Sequence, residues 1–321
     1  MKIAIISSTS LFLGFGFVYT SHLDYKNRIK DGCYKPKIYS MNGEFNYPTS
    51  QILSKEPQDN IFLSLIFPAY NEEKRLGPTL DKTINYFSSK KINYEIIIVN
   101  GGSTDNTFEL ISQKISQYSL YDKYLKDIIC CSYEGNGGKG WAVKTGINIS
   151  KGKYILMLDS DGSTDIEEYE TLYNSIKDEE YAIAIGSRKL NYNESNEGQR
   201  PWYRNLLSKI NNFIVKKCIG ISDIEDTQCG FKLFTRLACF DIFNNLHVFK
   251  WAFDVDILYI CKKFGIKIKE IPVIWIDKPG SKLNIFSATI LFIRDYLAMI
   301  LFYKTGFWKL NNYDLTEINI I

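Results

Sequence analysis

The stretch IIIVNGGSTDNT, residues 96–107, decides the fold that the sequence predicts. Three isoleucines and one valine run straight into a small polar turn, and a segment with helical character, residues 104–118, follows. An unbroken apolar run next to a turn is typical of a strand that is buried on both faces of a sheet. Because open α/β sheets bind ligands beyond the carboxyl ends of such strands, the polar turn is the first candidate site.

The same strand–turn–helix unit recurs on both sides of this stretch. The predicted strands are FLSLIFP, YEIIIV, IICCS, KYILMLD and YAIAIG, at residues 62–68, 94–99, 128–132, 153–159 and 181–186. Helices are predicted at residues 76–90, 104–118, 139–150 and 165–177. This alternation predicts a largely parallel sheet that is covered by helices on both faces. After residue 188 the pattern is looser, with predicted helices at 202–219 and 253–263 and a predicted strand, IKEIPVIWI, at 268–276.

The two ends of the chain differ from its middle. Residues 3–19 carry no charge, and this length is close to the minimum for a membrane-spanning helix, roughly 17 residues. More basic residues follow this segment than precede it, which predicts that the remainder stays in the cytosol. A cleaved signal peptide is the alternative interpretation. The predicted organisation is a membrane anchor at 1–22, a polar linker at 23–60, an α/β domain at 61–280 and a membrane-proximal amphipathic segment at 281–321. Within that last segment, residues 286–308 predict an interfacial helix or hairpin.

The composition argues against several classes of protein. The 321 residues suffice for one large α/β domain with additions. The net charge of +3 is spread along the chain, so no nucleic-acid partner is expected. Seven cysteines without zinc-ligand spacing predict reduced, buried thiols rather than a disulfide framework. With only two histidines, His22 and His247, a zinc site or a Ser-His-Asp hydrolase is not expected.

The stretch LDSDGSTD, residues 158–165, follows a predicted strand and carries the most informative carboxylates. In extended chain, residues two apart point the same way, so Asp159 and Asp161 share one side. Two carboxylates form a site of hard oxygen ligands, which suits Mg²⁺ or Mn²⁺ bound jointly with substrate phosphates. The alternative is an Asp-rich turn that caps the next helix.

The stretch GNGGKG, residues 135–140, matches the G-x-G-x-x-G pattern of dinucleotide-binding proteins, and Asp159 follows it at about the expected distance. A nicotinamide- or flavin-dependent oxidoreductase is therefore an alternative. The pattern follows the third predicted strand rather than the first, and Lys139 and Trp141 crowd a place that requires bare backbone. A phosphate-binding P-loop does not fit, because Gly140 stands where serine or threonine is required.

The first predicted strand also ends in polar residues. In FPAYNEEKRL, residues 67–76, Pro68 ends the strand and Asn71, Glu72 and Glu73 follow at the mouth of the expected site. These side chains predict contacts with a nucleoside. The alternative is that the acidic residues favour the N-terminus of the following helix.

Taken in order, PAYNEE, VNGGSTDNT, GKG, DSDG and GSR resemble the family 2 glycosyltransferases of the A-type fold. Further along, RNLLSK, DTQCGFKLF, WAFDVDIL and GSKL resemble the dolichyl-phosphate β-glucosyltransferases, and the similarity extends over residues 62–310. The resemblance implies a Rossmann-like nucleotide-diphospho-sugar transferase fold with an N-terminal membrane anchor. It also implies inverting transfer of glucose from UDP-glucose to dolichyl phosphate, for N-glycan assembly at the cytosolic face of the endoplasmic reticulum membrane.

The resemblance also implies roles for individual residues. The implied donor-binding residues are Pro68, Tyr70, Asn71, Glu72, Asn100, Gly102, Ser103, Lys139 and Asp159. The implied catalytic residues are Asp161, Asp254 and Arg188, and the metal ligands are Asp159 and Asp161. The implied ligands of the acceptor phosphate are Arg204, Ser208 and Lys282, of which Arg204 and Ser208 share one helix face.

Asp254 lies in an apolar run, where a carboxylate is costly to bury without a partner. A phosphate acceptor is already mostly anionic at pH 7, since its second pKa is about 6, and needs little general-base help. We therefore expect Asp254 to contact a glucose hydroxyl or a cationic neighbour, with a helix N-cap as the alternative. Asp256 and His247 are expected to be structural.

The opening turn departs from the family. Relatives usually read Asp-Asp-Gly-Ser at 100–103, whereas this chain reads Asn100, Gly101, Gly102 and Ser103. The resemblance implies that the second acid accepts a hydrogen bond from the base or ribose, and Gly101 has no side chain to do so. Loss of such a bond costs roughly 1.5 to 3 kcal/mol, which predicts a retuned site with weaker or altered base recognition. A mannosyltransferase that uses GDP-mannose and a non-catalytic relative remain alternatives.

Overall fold

The computed structural model describes residues 36–46, 53–118, 122–190, 214–278 and 285–312. Within these segments one nine-stranded sheet carries helices on both faces. The predicted anchor at 1–22 lies outside the described residues, as do Arg204, Ser208 and Lys282. Among the helices that are described, none is long and apolar enough to cross a membrane.

The strands and helices follow the predicted alternation through most of the chain. The strands are β1 Lys37–Ser40, β2 Gly43–Asn46, β3 Leu63–Ala69, β4 Tyr94–Gly101, β5 Leu125–Tyr133, β6 Tyr154–Met157, β7 Ala182–Ser187, β8 Lys232–Thr235 and β9 Lys267–Pro272. The helices are α1 Leu76–Lys90, α2 Thr107–Tyr118, α3 Lys139–Ile149, α4 Tyr169–Ile176, α5 Arg236–Asn244, α6 Phe253–Phe264 and α7 Ile285–Lys304.

Strand β4, which contains the opening apolar run, is buried along its whole length. Successive side chains of a strand point to opposite faces. Ile96 and Ile98 accordingly pack with α1, α2 and α4, while Ile97 and Val99 pack with α3 on the other face. The double-sided burial explains why the run is continuous rather than alternating, as predicted.

The sheet order is β2-β1-β5-β4-β3-β6-β8-β7-β9. The central strands β5, β4, β3 and β6 are parallel, as predicted. Strand β8 lies antiparallel between β6 and β7, so the sheet is mixed, but all five predicted strands run in one direction and the prediction of a largely parallel sheet is confirmed. Strand β8 was not among the predicted strands, and its direction depends on the path of the chain into the sheet.

Residues 37–46 correct the predicted linker at 23–60. They form a hairpin of β1 and β2, and β1 pairs antiparallel with β5, with Ile38 opposite Cys131. Each of these strands has four residues, too few for a periodic pattern to stand out. The hairpin covers the edge of β5, which would otherwise present unpaired backbone groups.

Several predicted boundaries changed for local reasons. Helix α2 begins at Thr107 rather than at 104, because the Asp105 carboxylate accepts the Thr107 backbone N–H at 3.1 Å. Strand β9 ends at Pro272, which cannot donate to a ladder, although Trp275 still bridges to Thr164. The predicted helix at 253–263 is confirmed as α6, and α7, at Ile285–Lys304, makes most of the segment 286–308 one helix rather than a hairpin. Of the predicted helix at 202–219, residues 214–219 are described and form a π-helical turn.

Five of the cysteines within the described residues are free and buried, as predicted. They are Cys130, Cys131, Cys229, Cys239 and Cys261. Burial raises the pKa of the Cys130 thiol to about 12, so it stays protonated at neutral pH. These residues therefore act as small apolar side chains of the core.

Candidate functional site

A cavity of about 520 Å³ lies beyond the carboxyl ends of β3, β4, β5 and β6. Six predicted site residues line it, namely Pro68, Tyr70, Glu72, Lys139, Asp159 and Asp161. Its walls also include residues that were not predicted as site residues, among them Arg75, Gly101, Tyr133, Lys250, Trp251, Trp275, Lys278 and Leu291. The cavity therefore lies where an α/β sheet is expected to bind its ligand.

Asp159 follows the end of β6 by two residues and is paired with Lys139. The Lys139 ammonium donates a hydrogen bond to Asp159 Oδ1. Burial alone would raise the pKa of Asp159, but Lys139, together with Arg188 and Lys232, outweighs it and lowers that pKa below its ordinary value. Burial alone would lower the pKa of Lys139, yet the nearby carboxylates raise it. Both groups are therefore charged at neutral pH.

Asp161 faces a second cation, Arg75, which lies on the turn before α1. The Arg75 Nη1 atom is 3.7 Å from Asp161 Oδ2. Glu72 orients this guanidinium, since its two oxygens accept hydrogen bonds from Arg75 Nε at 2.7 Å and Nη2 at 2.5 Å. The other Asp161 oxygen accepts the Ser163 backbone N–H at 2.9 Å. Arg75 belongs to the stretch FPAYNEEKRL. Its positive charge close to a strand end could have identified it as a site residue from the sequence.

Asp159 and Asp161 fit the predicted divalent metal in donor type. Their side chains are 36% and 26% exposed, so both are accessible from the cavity. Carboxylate oxygens suit Mg²⁺ and Mn²⁺. Among the described residues there is no group of three or more His, Cys, Asp or Glu side chains placed to hold a metal ion. A cation bound here would complete its coordination with phosphate oxygens and water.

The segment DTQCGFK, residues 226–232, contacts the charged side chains in and beside the cavity. The role of each of its residues follows from these contacts and not from the spacing of residues in the sequence. A Cβ atom on Gly230 would lie 2.2 Å from Asp159 Oδ2, so only glycine leaves room for that carboxylate. Asp226 accepts two hydrogen bonds from Arg188, at 2.7 and 2.8 Å. Lys232 donates to Asp254 Oδ1 at 2.6 Å.

Neither Arg188 nor Asp254, both predicted as catalytic, is among the residues that line the cavity. The Arg188 guanidinium is engaged by Asp226 and lies over the Trp275 ring, 5.6 Å from its centroid. Burial raises the pKa of Asp254, and Lys232 only partly offsets this. The cationic neighbour predicted for Asp254 is thus confirmed, and the N-cap alternative is wrong because Ala252 caps α6. The catalytic roles of the two residues stay predictions.

Four predicted donor-binding residues, Asn71, Asn100, Gly102 and Ser103, are not among the residues that line the cavity. The first of them, Asn71, joins two turns. Its backbone N–H donates to Ser103 Oγ at 2.8 Å, and its Oδ1 accepts the Thr104 backbone N–H at 2.7 Å. Asn100 donates to Ser132 Oγ on β5 at 3.0 Å. These contacts hold together the turns that follow β3 and β4, and the donor-binding roles of the four residues stay predictions.

Gly101 is the last residue of β4 and Gly102 follows it, and neighbouring atoms leave little room for a side chain at either position. Gly101 pairs in register with Tyr133 of β5, and a Cβ atom on Gly101 would lie 3.2 Å from the Tyr133 hydroxyl oxygen. Gly102 has φ +71°, and a Cβ there would lie 2.6 Å from the Gly135 carbonyl oxygen. The Tyr133 phenol therefore occupies space next to position 101, where the family resemblance implies an acid.

The glycines of GNGGKG let the start of α3 pack closely against the segment before α6. A Cβ on Gly138 would lie 2.6 Å from the Phe249 carbonyl oxygen, and one on Gly140 would lie 2.6 Å from Phe253 Cβ. Trp141 also donates its backbone N–H to the Phe249 oxygen at 3.0 Å. This packing directs Lys139 towards the cavity and gives the glycines a role that needs no dinucleotide.

Asp256 and His247 are structural, as predicted. Asp256 is fully buried and accepts the backbone N–H groups of His247 and Val248 at 2.8 and 2.9 Å. It also accepts the Tyr303 hydroxyl at 2.6 Å, while the His247 ring stacks on Trp308. These contacts tie α7 and the residues after it to α6.

Comparisons with known proteins agree with this geometry. Residues 64–239 match the model of Glycosyl transferase family 2. The dolichyl-phosphate β-glucosyltransferase of Dictyostelium discoideum is 39% identical over 279 residues, which cover 84% of this chain and 83% of that protein. The human dolichyl-phosphate β-glucosyltransferase is 40% identical over 258 residues, covering 77% of this chain and 78% of that protein. The Saccharomyces cerevisiae protein of the same name is 35% identical, covering 80% and 79%.

Two solved structures share the fold at low sequence identity. Mannosyl-3-phosphoglycerate synthase from Rubrobacter xylanophilus superposes with a TM-score of 0.54 at 15% identity, covering 84% of this chain and 83% of that one. Glucosyl-3-phosphoglycerate synthase from Mycobacterium tuberculosis, in complex with UDP, gives 0.52 at 14% identity, covering 80% and 86%. The predicted A-type glycosyltransferase fold is confirmed, and the oxidoreductase alternative is discarded.

Proposed function

Because this chain belongs to the dolichyl-phosphate β-glucosyltransferases of glycosyl transferase family 2, we propose that it transfers glucose from UDP-glucose to dolichyl phosphate. The anomeric carbon is inverted and the product is dolichyl β-D-glucosyl phosphate, which serves protein N-glycosylation. The observation that carries the proposal is the cavity at the strand ends, where Asp159 and Asp161 lie beside Lys139 and Arg75. Alternating carboxylates and cations suit a diphosphate donor.

The cavity residues hold the donor and stabilise its leaving group. Lys139 and Arg75 offer an ammonium and a guanidinium to the diphosphate oxygens. Asp159 and Asp161 are the residues that would hold Mg²⁺ or Mn²⁺, and the bound cation offsets the charge of the departing UDP. Glu72 keeps the Arg75 guanidinium directed by a bidentate hydrogen bond, so little reorganisation accompanies the reaction.

The acceptor requires positioning rather than deprotonation. A phosphate monoester with a second pKa of about 6 is mostly a dianion at pH 7, so its oxygen attacks without a general base. Lys250 and Lys278 line the same cavity and supply positive charge for this dianion. Arg204, Ser208 and Lys282 remain the predicted acceptor ligands from the family resemblance, and Arg188 and Asp254 remain predicted catalytic residues.

The membrane location is part of the proposal. An anchor at residues 1–22 would place the enzyme in the endoplasmic reticulum membrane as a single-pass protein with a cytosolic catalytic domain. The outer side of α7 supports a membrane-proximal position, because Ile290, Ile293 and Leu297 are each more than 40% exposed. Leu291 of the same helix lines the cavity, so a polyprenyl chain lying along α7 reaches the site with its phosphate.

The test is transfer of labelled sugar to dolichyl phosphate by the purified, detergent-solubilised full-length protein. UDP-glucose and GDP-mannose are compared, each with Mg²⁺ and with chelator. We expect metal-dependent glucosyl transfer. Mannosyl transfer alone would refute the donor assignment, and no transfer from either donor would favour the non-catalytic alternative.

Substitution of Asp161 tests the site itself. We expect Asp161→Asn to lower glucosyl transfer by about a hundredfold or more, since a metal-bound charge contributes several kcal/mol. The control is Asp165→Asn, which removes a nearby carboxylate that pairs with the exposed Lys82. Equal activity of the two variants would contradict the assignment of the site.

A further inference from the structure

The cavity is lined by as many cationic side chains as carboxylates, namely Arg75, Lys139, Lys250 and Lys278 with Glu72, Asp159, Asp161 and Asp277. Asp159 pairs with Lys139, Asp161 and Glu72 share Arg75, and beside the cavity Asp226 pairs with Arg188 and Asp254 with Lys232. A divalent cation that approaches the nucleotide-free protein therefore meets little uncompensated negative charge. Attraction of a cation into a site depends on such charge.

The number of available metal ligands also indicates that a divalent cation binds weakly to the nucleotide-free protein. Mg²⁺ requires six oxygen ligands, and neighbouring metals behave similarly. The described part of the chain contains no cluster of three or more His, Cys, Asp or Glu side chains suited to a metal. The cavity offers Asp159 and Asp161, and one oxygen of Asp159 is already bound to the Lys139 ammonium. The remaining ligands would be phosphate oxygens of the substrate and water.

Among the cations of these ion pairs, Lys139 is the one that can exchange its carboxylate partner for an anionic ligand. Its side chain is 17% exposed at the cavity, whereas the Lys232 side chain is 0% exposed. Its backbone is fixed, because Gly138 and Gly140 pack tightly against residues 249–253, so only its side chain can move. Its ammonium donates a hydrogen bond to Asp159 Oδ1, so it leaves this carboxylate only for another anion.

We propose that Lys139 blocks Asp159 from the divalent cation until a nucleoside diphosphate is bound, so that the metal enters with the nucleotide or after it. The ammonium passes from Asp159 to a diphosphate oxygen, and the released carboxylate oxygen becomes available to the metal. The inference rests on the proposed function for the diphosphate-bearing donor. To the proposed function it adds the order in which the nucleotide and the metal bind, and it names Lys139 as the residue that sets this order.

The experiment measures Mn²⁺ binding to the purified full-length protein by electron paramagnetic resonance, with and without UDP and without acceptor. In the wild type we expect UDP to tighten Mn²⁺ binding by about tenfold or more, and Mn²⁺ to tighten UDP binding by the same factor. In Lys139→Met, Mn²⁺ without UDP binds about tenfold more tightly than in the wild type, and the effect of UDP shrinks. Metal-free UDP binding, measured by calorimetry, becomes weaker in the same variant.

Controls separate this role from a general change of charge. Lys82→Met removes an exposed lysine that pairs with Asp165 at 2.6 Å, and it is expected to behave as the wild type. Lys139→Arg retains a cation and restores the dependence on UDP, while Lys139→Gln serves as a second neutral variant if Lys139→Met does not fold.

Two results would overturn the inference. One is equal Mn²⁺ affinity of the wild type with and without UDP. The other is nucleotide-free Mn²⁺ binding by the neutral Lys139 variants that is no tighter than in the wild type. If UDP itself does not bind, the proposed function and this inference fail together, whereas UDP binding with unchanged metal affinity in the variants removes the inference alone.

Discussion

Two lysine–aspartate pairs in the site region have the same chemistry and different surroundings. The side chains of Lys139 and Asp159 are 17% and 36% exposed at the cavity wall, and those of Lys232 and Asp254 are 0% and 5% exposed. A buried ion cannot change partners without leaving an uncompensated charge in the interior, which costs several kcal/mol. A pair that solvent and ligands reach can do so at small cost. Burial therefore fixes the partners of the Lys232–Asp254 pair, whereas a ligand in the cavity can separate Lys139 from Asp159.

The largest expected effect breaks the buried pair. Lys232→Met leaves the Asp254 carboxylate without its cation, so we expect the free energy of unfolding to fall by about 3 to 5 kcal/mol. Lys139→Met is expected to cost about 1 kcal/mol or less, as for solvent-accessible pairs. Urea unfolding followed by circular dichroism measures both. Lys232→Met combined with Asp254→Asn removes both charges and should recover most of the loss. Equal destabilisation by the two lysine variants would contradict the comparison.

The buried Asp256 extends the comparison to a carboxylate that is held by hydrogen bonds rather than by a direct ion pair. Burial raises the pKa of Asp256 from 3.8 to about 6, although Tyr303, His247 and Val248 donate to it. The folded protein thus keeps a proton that the unfolded chain has released between pH 4 and 6, and stability falls as pH rises through that window. Relative to Asp256→Asn, the wild type should lose up to about 3 kcal/mol there.

Urea unfolding of wild type and Asp256→Asn at pH 4, 5, 6 and 7 measures this difference. Other titrating groups cancel between the two proteins, so the difference isolates Asp256. A stability difference that is constant from pH 4 to 7, or that grows in favour of the wild type as pH rises, would show that burial does not control this carboxyl group.

The third prediction concerns the partly exposed pair of Lys139 and Asp159, and Gly230, which packs against Asp159. In Gly230→Ala the new Cβ would lie 2.2 Å from Asp159 Oδ2, so the carboxylate must swing away from Lys139. Because the displaced atoms are the end of a flexible side chain, folding should change little while kcat/KM falls by about tenfold or more. Gly77→Ala, whose Cβ meets Leu110 Cδ1 at 3.4 Å, is the matched control. Unchanged transfer activity in Gly230→Ala would count against the assigned role of Asp159.

The smallest expected effect is on the KM for UDP-glucose and comes from Gly101 and Tyr133, two uncharged residues that line the cavity. Gly101→Asp alone places its Cβ 3.2 Å from the Tyr133 hydroxyl oxygen, so we expect no improvement in the KM for UDP-glucose. With Tyr133→Phe the obstructing oxygen is gone, and the added carboxylate should lower that KM by about three- to tenfold. Steady-state kinetics of both single variants and the double variant test this coupling. A KM that falls as far in Gly101→Asp as in the double variant would remove Tyr133 from the explanation.

Prediction from sequence succeeded where the signal was local. The apolar runs of β3 to β7 and the turn signals after them identified the strands and the edge where the site lies. Asp159 and Asp161 were found because two carboxylates directly after an apolar strand are unusual and point to one side. Asp254 required a partner because its apolar neighbours exclude water.

Prediction failed where the reason lies in a distant part of the chain. The hairpin β1–β2 has short strands that are stabilised by pairing with β5, about ninety residues away. Tyr133 became relevant because β5 brings it opposite Gly101, and no spacing rule links these two residues. The contact between the two turns, in which the Asn71 backbone N–H donates to Ser103 Oγ, was not predicted either, since these residues are 32 positions apart; their donor-binding role stays a prediction.

The sequence by itself determined the alternation of strands and helices, the edge that carries the site and the two carboxylates that characterise it, because each follows from hydrophobic periodicity and from charge placed at strand ends. The tertiary structure decided which lysine pairs with which aspartate, which of those pairs the cavity reaches, and that Gly230 makes room for Asp159. The physical reason is that burial, and with it the cost of separating a charge from its partner, depends on segments that meet only in the folded chain.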